Sequence, residues 1–153
     1  MPSTKKVVDW LRDVRLLTVR QPWAWAIVHS TKRIENRSWS TPYRGPVLIH
    51  AGKLRSRREY EESLEYLRKR IGRARVPAFD EVESGGIVGC ADIVDVLPNG
   101  SRPRNKWAAS GAFGWHLGRV RDLPFVKLTG RLGLVRLSAA EVRKVARYLA
   151  RVP

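Results

Sequence analysis

Lys32, Glu35 and Arg37 place one carboxylate between two cations within a short stretch of chain. If that stretch is extended, Glu35 and Arg37 point to the same face. A carboxylate between cations is held ionised and oriented. It can orient a bound base, act as a general base, or brace a loop. Trp39 and Tyr43 follow directly, which favours a cleft over a solvated ion-pair cluster. Trp39 stands among polar residues and is the best candidate for stacking a base, an interaction of about 1–3 kcal/mol per base. Trp115 is a second candidate, since alternation in its strand sends Trp115 and His116 to opposite faces.

A second group is Tyr43, Arg44 and Lys53. Tyr43 and Arg44 precede the turn at Gly45 and Pro46, and Lys53 stands just past the apolar run Val47–Ala51. Closure of a sheet can bring both ends of that run to one opening. A lysine near other cations and partly desolvated has a lowered pKa and can serve as a base. It can equally bind phosphate as a point charge. RNA carries its own nucleophile in the 2′-hydroxyl, so a strand-cleaving site needs only a base, an acid and phosphate stabilisers. In such a site Lys53 would be the base, with Arg44 and Lys32 as stabilisers.

The charge balance points to the same class of partner. The chain has 153 residues and a net charge of +16, from 30 basic and 14 acidic side chains. Residues 1–50 hold nine basic and three acidic residues, 51–98 nine of each, and 99–153 twelve and two. The positive field therefore comes from both ends of the chain, and a polyanion is the natural partner. The only cysteine, Cys90, excludes an intramolecular disulfide and a cysteine zinc cage; in its apolar surroundings it reads as a buried, inert thiol. His29, His50 and His116 lack ligand spacing, so no protein-held metal or cofactor is expected. A loosely held Mg²⁺ or Mn²⁺ bridging RNA phosphates stays open. No apolar run reaches membrane-spanning length and the N-terminus lacks a signal-peptide core, so the expected location is the cytoplasm, with no membrane partner.

The elements that must position these residues are legible. Leu16–Arg20 reads as a strand, Pro22–Ser30 as a short apolar helix, Ile34–Trp39 as an extended segment and Val47–Ala51 as a strand buried on both faces. Residues 56–71 form the clearest helix, with Ser56 and Glu59 at capping-box spacing and a stripe of Tyr60, Leu64, Leu67 and Ile71. Ile87–Leu97 reads as a long strand bent near Gly89. Phe113–Val120, Phe125–Leu128 and Leu132–Leu137 read as further strands, and Ser138 with Glu141 opens a last helix. The expected fold is α+β: a small, mostly antiparallel β-barrel with helices packed around it.

The ordered motifs QPWAWAI, KRIENRSW and TPYRGPVLIHAGK, followed by GIVGCADIVD and the segments at Trp107, Gly111–Leu117 and Gly130–Leu137, resemble the ASCH family. The likeness covers the chain after residue 14. It implies a PUA-like barrel over residues 15–153 behind an N-terminal extension, 1–14, and binding of nucleic acid, RNA before DNA. It implies that Lys32 and Glu35 line a cleft. Some members resemble nucleases that cleave single-stranded RNA with a tyrosine, a lysine and a serine; Tyr43 and Lys53 match, and Ser110, or failing that Ser101, would supply the serine. Other members hydrolyse an acylated cytidine with a Lys, a Thr and a Glu, types offered here by Lys32, Thr31 and Glu35. A nucleoside amidohydrolase is therefore the alternative function. One departure stands out: the family's Gly-x-Lys-x-x-Glu has Ser30 for its glycine, so the loop is expected to run differently.

Overall fold

In the computed structural model, which describes residues 3–72, 74–100 and 105–151, four helices surround one six-stranded sheet. The helices are α1 (Thr4–Asp13), α2 (Trp23–His29), α3 (Arg57–Ile71) and α4 (Ala139–Ala150). The strands are β1 (Arg15–Val19), β2 (Ile34–Arg37), β3 (Gly45–Ala51), β4 (Gly86–Leu97), β5 (Phe113–Lys127) and β6 (Leu134–Arg136), in the spatial order β2-β5-β4-β3-β1-β6. The pair β1/β3 is parallel and every other pair is antiparallel. The fold is α+β, as the pattern of elements predicts.

The sheet curls into a half-barrel. Its two edges are β2 and β6, yet Arg37 of β2 donates from Nη2 to the carbonyl of Thr18 in β1, at 2.5 Å. Only strong curvature brings one edge against the strand next to the other. The register shifts three times between β4 and β5, and once between β3 and β4 at Ile49/His50; bulges of this kind bend a sheet. At the start of β4, the bend leaves no room for a side chain on Gly86, where a Cβ would stand 2.5 Å from both the Val126 carbonyl oxygen and the Phe125 ring.

Three apolar clusters hold the layers. The concave face carries Leu17, Val19, Ile27, Ile49, Ile93, Trp115 and Leu117. The opposite face packs Leu16, Leu48, Ile87 and Val126 beneath Leu11 of α1 and Val142 and Val145 of α4. Tyr60, Leu64 and Leu67 of α3 seat on Ala26, Ile34 and Trp107. Leu11 is fully buried, so α1 is docked at its C-terminal end. Both serine caps form: Ser56 accepts from the Glu59 amide, and Ser138 with Glu141 makes a complete capping box. Ser30, standing where a glycine was expected, has φ −134° and ψ −155°. That is extended backbone open to any residue, so the position asks for no glycine. Phe113–Lys127 forms one continuous strand rather than two. Pro124, which cannot donate to a ladder, falls in the stretch between Asp122 and Val126 where the pairing with β4 is broken.

Candidate nucleic-acid interface

The curl leaves a cavity of about 630 Å³ at the C-terminal ends of β1 and β3, closed on one side by β2 and on another by residues 128–133. Its construction starts with two polar residues in otherwise apolar strands. Thr18 lies within Leu16–Val19 and His50 within Val47–Ala51, and the parallel register sets them side by side. His50 is 1% exposed. Its Nε2 stands 2.6 Å from the Leu128 carbonyl. A carbonyl only accepts, so Nε2 carries the proton and Nδ1 keeps a bare lone pair in the neutral ring. Among the described residues, neither His50 Nδ1, Thr18 Oγ1 nor Arg37 Nε has a hydrogen-bond partner, and all three residues line this one cavity. Buried polar atoms without hydrogen-bond partners are uncommon in folded proteins, and these three belong to residues that line one hollow.

Gly130 makes the closure possible. A Cβ there would meet the His50 ring at 2.7 Å and Thr18 Oγ1 at 3.1 Å. The segment from Leu128 to Gly133 thus lies on His50 and presents Arg131 and Leu132 to the cavity mouth; Leu132 is 97% exposed.

The β2 wall is held by buried charge. Lys32 is 4% exposed and Glu35 9%. The Lys32 ammonium donates to the Ile34 carbonyl and stands 3.4 Å from Glu35 Oε2. Arg37 Nε stands 3.6 Å from the other oxygen, Oε1. Glu35 and Arg37 line the cavity, while Lys32 braces Glu35 from behind. The Asn36 side chain donates to the Trp107 carbonyl and accepts from the Ala109 amide, which ties the loop before β5 to β2. At the opposite rim, Arg20, Lys53 and Arg55 line the opening with no acidic partner among the described residues. Arg131 is paired with Glu141 at 2.8 Å. The cavity therefore has a cationic rim and a polar lining of Thr18, Glu35, Arg37 and His50.

The structure brings Glu35, Arg37 and Lys53 together at this cavity and places the other anticipated residues elsewhere. Trp115 does not offer a stacking face: it is 0% exposed, its ring meets Trp39 edge-on at 4.7 Å, and its Nε1 donates to the Trp39 carbonyl. Alternation separates Trp115 from the exposed His116, but the inner face is core. Tyr43 and Trp39 line a neighbouring hollow, and the Tyr43 hydroxyl donates to the Pro46 carbonyl at 2.7 Å. Arg44 turns to the Thr41 carbonyl and to Asp95 at 3.7 Å, away from the cavity. Ser110 is exposed in the turn before β5 and does not line the cavity; Ser101 lies outside the described residues. Tyr43, Lys53 and Ser110 thus do not share one lining. Thr31 is exposed beside the buried, engaged Lys32. Reading the residues for chemistry missed Thr18, His50, Arg20, Arg55 and the segment 128–133. The signal that could have found them was a polar residue interrupting each of two apolar strands.

Titration of His50 follows from its burial. Desolvation lowers its pKa from 6.5, outweighing the hydrogen bond to Leu128. The unfolded chain then takes up its proton first, so the contribution of neutral His50 is full above about pH 6.5 and is lost as pH falls below it. The slope from this one proton is at most about 1.4 kcal/mol per pH unit. Urea unfolding at pH 7.5 and pH 5 should show the wild type losing more stability than His50→Gln; equal losses would place the charge change elsewhere.

Among the described residues no group of His, Cys, Asp and Glu side chains could hold a metal ion, and no helix is long and apolar enough to cross a membrane. Cys90 has its thiol pKa raised, first by burial.

Comparison with known proteins agrees with this architecture. Activating signal cointegrator 1 of Mus musculus is 40% identical over 82 residues, and its Homo sapiens counterpart 35% over 81 residues. Each match covers 53% of this chain but 14% of the relative. The crystal structure of a point mutant of the ZmASCH protein from Zymomonas mobilis superposes with a TM-score of 0.53 at 12% identity, covering 89% of this chain and 98% of that one; at that identity the likeness shows the fold. The sequence model of the ASCH domain matches residues 17–115, from Leu17 in β1 to the buried Trp115 in β5. This chain belongs to the ASCH domain family.

Proposed function

We propose that this domain binds single-stranded RNA, taking one unstacked nucleotide into the cavity between β1, β2 and residues 128–133. The observation that carries the reading is a cavity lined by Thr18, Glu35, Arg37 and His50 beneath a rim of cations, Arg20, Lys53 and Arg55, that have no acidic partner among the described residues. The floor suits a base edge or a ribose hydroxyl, each of which brings both donors and acceptors. Arg20, Lys53 and Arg55 suit the phosphates on either side. RNA is favoured over DNA by the family's likeness to PUA domains and by the Glu35 carboxylate, which can accept a hydrogen bond from a 2′-hydroxyl. A cavity of this size admits a base only after it has left its stack, which a duplex resists.

The test is competition for a labelled single-stranded RNA by the same sequence as single strand, as RNA duplex and as single-stranded DNA. The single-stranded RNA should compete at least about ten-fold better than the duplex, because the duplex must spend a few kcal/mol on unpairing. Equal competition by duplex would contradict entry of a base. Cleavage of the RNA in the same tubes, abolished in Lys53→Ala, would extend the reading to a ribonuclease.

A further inference from the structure

Beside the cavity lies a second, more open hollow of about 530 Å³ lined by Arg15, Trp39, Thr41, Pro42, Tyr43 and Leu134. The two hollows share Gly133 as a common wall. Arg15 of the second and Thr18 of the first stand three residues apart on β1, a separation of about 10 Å. The second hollow differs in chemistry from the first. It offers aromatic rings and one guanidinium rather than a polar floor.

Its rings are fixed in place. Trp39 is half-buried and stands edge-on against the buried Trp115. Tyr43 is held at both ends, with its amide donating to Thr41 Oγ1 and its hydroxyl to the Pro46 carbonyl. The Arg15 guanidinium lies 4.9 Å from the centre of the Tyr43 ring and donates to the Asp13 carbonyl. Half-exposed rings, anchored and layered with a cation, form a surface on which a base can stack.

We propose that this hollow is a second subsite, which takes a neighbouring base of the same single strand by stacking on Trp39 and the Tyr43–Arg15 layer. The proposal rests on the reading of the cavity as a nucleotide site. Continuity through Gly133 and the cation at Arg15 favour a nucleic-acid strand over an apolar partner. The backbone crosses Gly133, where no side chain stands in the way, and the two bases diverge into a polar and an aromatic site. Trp39 and Tyr43 then serve affinity rather than proton transfer.

The experiment is competition by uridine 5′-monophosphate and by oligouridylates of two to six nucleotides against a labelled six-nucleotide RNA. The affinity should step up by about five-fold or more at the length that first spans both hollows, as expected for one added stacked base, and rise gently beyond it. Trp39→Leu should remove the step. Since Trp39 also packs on Trp115, Arg15→Ala provides an independent variant outside that ring pair, and it should diminish the step. Arg20→Ala should weaken all lengths alike and keep the step. A smooth rise with length, or a step that survives in both Trp39→Leu and Arg15→Ala, overturns the second subsite and leaves the cavity reading standing. If the labelled RNA itself does not bind, the cavity reading fails and takes the subsite with it.

Discussion

Glu35→Ala should cost about 3–5 kcal/mol of stability, the usual loss when one partner of a buried ion pair is removed. The magnitude follows from what is left behind. Lys32 is 4% exposed, and once the carboxylate is gone its ammonium keeps the Ile34 carbonyl and the Trp23 ring but no counter-charge among the described residues. Arg37 loses its partner at the same time. For a chain of this size that loss lowers Tm by about 10 °C or more, readable as the loss of helical circular dichroism on heating. Lys32→Met should cost less, because Glu35 keeps Arg37 and the methionine fills the site without a charge. A loss below about 1 kcal/mol in Glu35→Ala would mean that the Lys32 ammonium finds water, and that β2 is not organised by this pair.

That expectation bears on function as well as on folding. Glu35 and Arg37 are the β2 wall of the cavity, and Arg37 is the residue that ties this edge strand to Thr18 across the curl. Unpairing Glu35 therefore loosens the sheet closure that creates the cavity. Binding and stability should fall together in Glu35→Ala, whereas Lys53→Ala, at an exposed rim position, should lower binding alone.

Much of this architecture can be read from local patterns. The capped helices at 57–71 and 139–150 carry their serine and glutamate signals in the sequence, and Tyr60, Leu64 and Leu67 of the first one's stripe are buried. The strand 86–97 bends near Gly89, where a Cβ would meet the Arg121 carbonyl at 2.6 Å. What local patterns do not carry is pairing at a distance. The parallel partnership of β1 and β3 depends on which strands become neighbours, and it alone sets Thr18 beside His50. Placing Trp115 in the cleft failed for a related reason: alternation says that one of Trp115 and His116 points inward, not whether inward means core or cavity. Glu35 and Arg37 stood out because both are charged and two residues apart, and Lys53 because it follows an apolar strand. His50 was passed over because a histidine in an apolar strand shows its purpose only when the carbonyl of Leu128 fixes its proton.

The ionic-strength dependence of RNA binding is the second large effect, and it tests the central claim most directly. The rim offers Arg20, Lys53 and Arg55, free of acidic partners among the described residues, with Arg131 beside them. Each phosphate neutralised on a single strand releases counterions and contributes about −0.7 to the slope of log K against log salt. About four contacts give a slope near −3, so raising salt from about 50 to about 200 mM should weaken binding some sixty-fold. Anisotropy of a labelled single-stranded RNA, titrated with this protein across that range, measures the slope. We expect about −3 for the wild type, and a slope shallower by about 0.7 in Lys53→Ala, where one contact is gone. A flat dependence, or a slope that Lys53→Ala leaves untouched, would contradict the placement of the RNA backbone on this rim.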